Sequence, residues 1–294
     1  MIPKELFRKI RRIEITTSRL VTDIFVGQYH SVFKGQGIEF DEVRAYQPGD
    51  DIRTIDWNVT ARTGQAHVKK FIEERELTVM ILVDVSWSCR FASRGALKSQ
   101  IAAEIAAMLA FSAIRNQDKV GLILFSDKVE KFIPPRKGTR HVLRIIREVL
   151  CDEPQGRSTD IVSALEYLNR VVLRKSVVFL ISDFFHSGSP EGLKKALAMA
   201  RRRHDVIAVT LNDPRERELP SLGLIRLRDA ETGVTRVVDS SDAATREQYR
   251  RYNASRLRKR DRLFQGVGMD HVDVRTDTPF VEAFIRFFAK RRRR

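Results

Sequence analysis

The stretch Leu77-Thr-Val-Met-Ile-Leu-Val-Asp84-Val-Ser86-Trp87-Ser88 decides how this chain is to be read. Residues 77–85 form a short, nearly continuous apolar run. That is the pattern of a strand buried on both faces, and such strands belong to parallel sheets covered by helices. Directly after the run, polar side chains recur at every second position: Asp84, Ser86 and Ser88. In an open parallel sheet, ligands bind in the crevice beyond the carboxyl ends of the strands, so this is where function is expected.

Further along the chain the same texture repeats. Val120–Phe125, Ser176–Ser182 and Val206–Leu211 are further buried strands, and Met269–Val274 is a last one. Lys128–Ile133 alternates and runs into Pro134-Pro135, which predicts a short edge strand ending there. Between the strands, helices are expected at Leu97–Ile114, Arg140–Leu150, Asp160–Val172, Pro190–Arg203, Asp242–Phe264 and Pro279–Lys290. A polar hairpin is expected from Gly223–Arg228 and Val234–Val238. Alternating strands and helices predict an α/β domain with a mostly parallel central sheet and helices on both faces, a Rossmann-type arrangement. The expected organisation is an N-terminal helical and irregular extension over 1–76, the sheet domain over 77–290, and a basic tail over 291–294. Within the extension, Leu6, Ile10, Ile13, Leu20 and Ile24 space out one face of a helix over Pro3–Ile24, while glycines and prolines interrupt residues 27–76.

Composition removes several classes of function. No uncharged stretch exceeds ten residues, whereas a membrane span needs about 20 apolar ones. The first twelve residues carry no apolar signal core. Two cysteines, Cys89 and Cys151, make neither a disulfide framework nor a four-cysteine zinc site. A cytoplasmic protein is the expectation. The net charge of +16 hints at a polyanion partner, but it divides as +1 over 1–76, +6 over 77–200 and +9 over 201–294. Arginine supplies 39 of the 54 basic residues, so the excess reads as a compositional bias, and Arg250–Arg262 as a solvated helix face.

Three places after buried strands or before helices gather oxygen donors: Asp84-Val-Ser86-Trp-Ser88, the loop Gly156-Arg-Ser-Thr159-Asp160, and Ser182-Asp183. An all-oxygen set of carboxylates and hydroxyls suits a hard cation, Mg²⁺ or Mn²⁺, rather than zinc. Trp87, Phe184 and Phe185 lie beside these residues and are candidates for a rim that a partner would touch, or for partial burial against the N-terminal extension. The six histidines show no metal spacing, and nothing near Cys89 activates its thiol.

Asp84-x-Ser86-x-Ser88, Thr159 and Asp183 together resemble the metal-ion-dependent adhesion site of von Willebrand factor A domains. Upstream, Gly35-x-Gly37-x-Glu39-Phe40, Arg44-x-Tyr46-x-Pro48-Gly49-Asp50, Arg53-x-Ile55-Asp56-Trp57 and Ala61-Arg62 resemble the signature block of the bacterial family called domain of unknown function 58. That resemblance spans residues 25–290 and implies a von Willebrand A-like fold. It implies Asp84, Ser86, Ser88, Thr159 and Asp183 as ligands of Mg²⁺ or Mn²⁺, some through water. It further implies a non-enzymatic adaptor that binds an acidic residue of a protein partner, with MoxR-type AAA+ ATPases or their clients as associates. Members often carry membrane helices ahead of the block, and Cys89 stands where many have Met. The ATP chemistry would belong to the partner, because this chain has no phosphate-binding Gly-x-x-x-x-Gly-Lys-[Ser/Thr] loop.

Other readings compete. Asp84 and Asp183 can each cap a following helix. The Gly35–Arg62 block can be structural, with Asp50, Asp51 and Asp56 pairing Arg44, Arg53 and Arg62 around Trp57 and Asp50 capping a short helix. A Mg²⁺-dependent phosphohydrolase of the haloacid dehalogenase type also places Asp after a central strand, but it needs a second carboxylate where Ser86 stands, and Lys175 lies at the wrong end of its strand. Nucleic-acid binding through the C-terminal arginines is the third alternative and not the expected one.

Overall fold

The computed structural model describes residues 39–72, 76–93, 96–151, 154–185, 188–229 and 233–292, together with Arg11, Ile13 and Tyr29. Most of the N-terminal helix expected over Pro3–Ile24, and the last two residues of the basic tail, lie outside these. The described residues form two compact units: one within residues 33–77, the other from Thr78 onward with Arg11, Ile13 and Tyr29. Ile13 and Tyr29, expected in the same extension as the Gly35–Arg62 block, therefore fall with the sheet.

The smaller unit pairs β1 (Glu39–Ala45) antiparallel with β2 (His67–Ile72). Between them lies α1 (Trp57–Thr63), whose N-cap Asp56 accepts hydrogen bonds from the Asn58 and Val59 amides at 3.0 and 3.3 Å. Gly64, at φ +75°, ends the helix in the left-handed region that glycine adopts at little cost. Asp56, not Asp50, is thus the cap. Asp50 instead receives both arms of Arg44 at 2.9 and 2.7 Å, and Asp56 pairs with Lys69 at 3.2 Å. Trp57 is 68% exposed, so the expected ion-pair cage around it does not form.

The larger unit holds a six-stranded sheet. Its strands are β3 (Thr78–Asp84), β4 (Lys119–Phe125), β5 (Val129–Arg136), β6 (Val177–Ser182), β7 (Asp205–Asn212) and β10 (Asp270–Arg275). Their order is β10-β7-β6-β3-β4-β5, parallel throughout except for β5, which runs antiparallel to β4 along the edge. β5 is longer than the prolines predicted. Pro134 and Pro135 sit where the β4–β5 register shifts, between the Ile133–Leu122 and Arg136–Val120 pairs, and an edge strand tolerates missing donors at such a bulge. A small hairpin, β8 (Leu224–Arg228) and β9 (Thr235–Asp239), stands apart from this sheet.

Helices cover both faces. Met80 and Leu82 of β3 pack in one core with α4 (Ile161–Val171), α5 (Pro190–Arg203) and Phe264 and Val267 of α7 (Ala243–Val267). Side chains alternate along a strand, so Val79, Ile81 and Val83 serve the opposite face. There α2 (Lys98–Arg115) packs with α3 (Thr139–Cys151) and crosses β3, β4 and β7. Thirteen of its eighteen residues are buried, six of them alanines, and those small side chains let the helix lie close on nearly every side. The last helix, α8 (Phe280–Arg292), buries Phe284 and Phe288, with Tyr29 edge-on to Phe288 at 6.3 Å. A four-residue helix that no periodicity foreshadowed, α6 (Pro214–Arg217), follows β7. No helix among the described residues is long and apolar enough to cross a membrane.

Strand order brings two of the candidate segments side by side. The chain leaves β3 for β4 on one side and reaches β6 on the other, so the ends of β3 and β6 flank the point where the order reverses. Asp84 ends one and Ser182 the other.

Candidate metal centre

Asp84 is 1% exposed, and each oxygen of its carboxylate has a neutral partner. Oδ1 accepts the Ser86 amide at 3.0 Å, which folds the chain back into a tight turn after the strand. Oδ2 accepts the Ser182 hydroxyl at 2.6 Å and the Thr159 hydroxyl at 3.4 Å. The hydroxyls also meet one another: Ser86 Oγ lies 3.0 Å from Ser88 Oγ and 2.9 Å from Thr159 Oγ1. Four of the five predicted ligands, drawn from two distant segments, thus form one buried cluster. Ser88 is held there by a 3-10 turn, Trp87–Arg90, that opens immediately after Ser86.

Thr159 arrives on a loop that the edge of the sheet pins in place. Glu130 of β5 accepts the Gln155 and Gly156 amides at 3.1 and 3.0 Å and the Ser126 hydroxyl at 2.5 Å. At the far side, the Asp160 amide donates to Ser126 O at 2.7 Å, and Asp160 caps α4 through the Ser163 amide. Gly156 is needed: a Cβ there would stand 2.0 Å from Asp127 Oδ1 and 2.3 Å from Ser126 Oγ.

Asp183 is fully buried too, but its situation differs. Oδ1 accepts the Phe185 amide at 3.0 Å, while Oδ2 receives the Lys98 ammonium at 3.0 Å. Lys98 has no exposed side-chain surface and makes a second ion pair with Glu216 of α6 at 2.5 Å. Just after Asp183 the backbone bends at Phe184, whose φ of +58° is unusual for a residue with a Cβ. That bend turns the Phe184 ring into the core, 4.9 Å edge-on from Phe264. Of the two expectations for Phe184, burial holds rather than a place on the rim, because the left-handed backbone points the ring inward.

Trp87 and Phe185 are half-buried and lie among cations. The Arg157 and Arg90 guanidinium carbons lie 4.9 and 5.9 Å from the Trp87 ring centre, and Trp87 N donates to Arg157 O at 3.2 Å. Arg256 of α7 stacks 3.4 Å from the Phe185 ring centre, with Lys98 Nζ at 5.3 Å. Arg256 and Arg260 thus turn inward from a helix expected to expose its arginines: Arg260 donates to Asn212 Oδ1 at 2.9 Å. Arg90 and Arg157 have no acidic partner among the described residues, and both are exposed.

Charge compensation separates the two aspartates. Burial, and then the neighbouring Asp183, push the Asp84 carboxyl up to about 7, against the pull of the Ser182 and Ser86 hydrogen bonds. Desolvation opposes the Lys98 charge, yet Asp183 and Glu216 hold its pKa above the usual lysine value. Among the described residues Asp84 has no basic partner, whereas Asp183 has one. Buried carboxylates without a cation are costly unless something supplies the charge. The donors around Asp84 are all hard oxygens. The oxygen set of Asp84, Ser86, Ser88 and Thr159 therefore fits a hard divalent cation, with Asp183 engaged by Lys98. Cys89 contributes nothing reactive: burial, and then the two aspartates, raise its thiol far above the usual range.

Residues 42–259 match the family described as protein of unknown function DUF58. Uncharacterized proteins of Mycobacterium tuberculosis and Mycobacterium bovis are 33% identical to this chain over 291 residues, 98% of it and 90% of each relative. The chain belongs to the DUF58 family. The fold agrees. An aerotolerance-related membrane protein from Bacteroides fragilis superposes with a TM-score of 0.50 at 16% identity, over 73% of this chain and 99% of that one. The VWA domain of SpRpn10 also aligns, at a TM-score of 0.41 and 8% identity over 72% and 94% of the two chains. The DUF58 chain has a mostly parallel six-stranded sheet, with Asp84, Ser86 and Ser88 at its switch point.

Sequence reasoning named Ser182 among the oxygen donors without counting it as a ligand, and missed the parts played by Lys98, Glu216, Glu130 and Arg157. Ser182 was within reach of it, since it directly precedes Asp183 at the end of a buried strand. Lys98 carried a faint signal, as a lysine opening an otherwise apolar helix. Glu216 carried none, because only the fold brings α6 to α2.

Proposed function

We propose that this DUF58 protein is a non-enzymatic adaptor that binds an acidic residue of a protein partner through a Mg²⁺ or Mn²⁺ ion. The observation that carries this reading is Asp84: a buried carboxylate at the sheet's switch point, beside the hydroxyls of Ser86, Ser88, Thr159 and Ser182, with no basic partner among the described residues. Asp84, Ser86, Ser88 and Thr159 would hold the ion directly, and Asp183 would support it from behind. When bound, the ion supplies a positive, incompletely saturated centre that a partner's Asp or Glu side chain can complete. The chain's own part is to orient the oxygens. The Ser86 amide fixes the Asp84 carboxylate, and the Glu130 clamp on residues 155–156 delivers Thr159.

The surroundings favour an acidic partner over catalysis. No second carboxylate stands two residues after Asp84, where a phosphohydrolase needs its acid or base. Arg90 and Arg157 are exposed cations near Trp87, and an aromatic ring close to two guanidinium groups is the composition of a binding hot spot. Family resemblance makes MoxR-type AAA+ ATPases or their clients the first partners to try. A cytoplasmic location follows from that choice of partner.

The test is capture of a MoxR-type ATPase from the same cell by wild type and Asp84→Ala, each with Mg²⁺ and with EDTA. Capture by wild type in Mg²⁺ alone is expected. Equal capture in all four arms would remove the metal bridge.

A further inference from the structure

Asp183 spends its charge on a group inside the protein. Lys98 Nζ, with no exposed surface, lies 3.0 Å from Asp183 Oδ2 and 2.5 Å from Glu216 Oε1. Burying an ammonium is costly, and here it is offset by two carboxylates that hydrogen-bond it directly. The Phe185 ring, under Arg256, closes over the same ammonium. Neither α2's hydrophobic packing nor the sheet needs a charge at this spot, and a methionine would fill the same volume. The lysine's position is instead explained by what it does to the neighbouring cluster. Asp183 directly follows Ser182, whose hydroxyl donates to Asp84 Oδ2 at 2.6 Å, so it is the carboxylate that adjoins the Asp84 cluster, whereas Glu216 belongs to α6.

We propose that Lys98 is a built-in counter-cation that sets the cation affinity of the Asp84 site and keeps positive charge on it for the partner. This rests on the metal site proposed for Asp84. With Lys98 answering part of the Asp183 charge, a divalent ion at Asp84 meets less uncompensated negative charge and retains more of its positive charge. Without Lys98, both aspartates face the ion and that charge is cancelled. The site would then hold metal more firmly and attract a partner's carboxylate less. Lys98 therefore trades metal affinity for electrophilicity. Glu216 tunes the trade, since it competes with Asp183 for the ammonium.

The test is titration of the full chain with Mn²⁺, followed by electron paramagnetic resonance of the free ion, for wild type, Lys98→Met and Glu216→Gln. Lys98→Met should bind Mn²⁺ about tenfold more tightly, equivalent to ~1.4 kcal/mol, and its thermal midpoint should rise with Mn²⁺ more than that of wild type. Glu216→Gln should bind several-fold more weakly, because Lys98 then belongs to Asp183 alone. A folded Lys98→Met with unchanged or weaker Mn²⁺ affinity overturns the proposal. Should Lys98→Met fail to fold even in Mn²⁺, Glu216→Gln decides: weaker binding supports the proposal, and equal or tighter binding overturns it. Wild-type binding that neither substitution alters removes the role of Lys98 and leaves the site intact. No Mn²⁺ binding by any of the three removes both.

Discussion

Two pairs of aspartates, one in each unit of this protein, live under opposite rules. In the smaller unit, Asp50 is gripped by Arg44 and Asp56 caps α1 while pairing with Lys69. Each is satisfied by groups within twenty residues of it. In the sheet unit, Asp84 is buried and receives only hydroxyls and an amide, and Asp183 depends on a lysine 85 residues away. The first arrangement is what an ion pair looks like when its task is to hold a turn together. The second leaves a charge that no described cation answers. Function is therefore to be sought at the carboxylate whose compensation is missing, not in the segment with the most charges.

The strongest consequence falls on Asp84 itself. Asp84→Asn should lower Mn²⁺ affinity by at least ~100-fold, the upper end of what losing even an outer-shell partner costs, while the fold persists, since an amide keeps the shape without the buried charge. Circular dichroism and Mn²⁺ titration read both. A loss of folding instead would mean that Asp84 belongs with the structural aspartates.

Next is pH. His204 is 2% exposed, and neither ring nitrogen has a hydrogen-bond partner among the described residues. Burial, and then Arg203, lower its pKa from 6.5 to about 4. The unfolded chain therefore binds the extra proton first. Stability is fully present above pH 6.5 and falls as pH drops toward 4, by about 3 kcal/mol at most. Denaturant unfolding at pH 7 and pH 4.5 should show this loss, and His204→Leu should reduce it. The ion pairs of the smaller unit should add little to that slope.

Gly156→Ala comes third. The Cβ would overlap the Asp127 and Ser126 side chains, so these or the loop must shift, at about 1–3 kcal/mol. Because that loop carries Thr159, Mn²⁺ affinity should fall alongside the thermal midpoint. A stability loss with unchanged affinity would place Thr159 outside the site. The weakest response is expected from Asp50→Asn. It should slightly loosen the turn at residues 47–50 and leave Mn²⁺ affinity as in wild type. A metal defect there would break the contrast between the units.

Much of the fold and part of the site were legible in the sequence, and for physical reasons. Strands buried on both faces write themselves as apolar runs, so β3, β4, β6 and β7 were placed to within a residue or two. The order of Asp84, Ser86 and Ser88 follows directly from the end of such a run. Long-range partners left no such trace. Lys98 reaches Asp183, and Glu216 reaches Lys98, only because α2, α6 and the end of β6 converge in space. The inward turn of Phe184 depends on one positive φ that no periodicity encodes. Pro134 and Pro135 read as the end of β5, yet an edge bulge absorbs them. The smaller unit was the least legible: its glycines suggested irregular chain, but β1, α1 and β2 are short enough to fit between them.

Whether Asp84 takes up a divalent cation can be seen without any intermediary. Crystals soaked in Mn²⁺, with anomalous differences measured near the manganese edge, should show a peak within ligand distance of Asp84, Ser86 and Ser88. A well-ordered cluster with no peak there, in crystals that bind Mn²⁺ elsewhere or not at all, would refute the site.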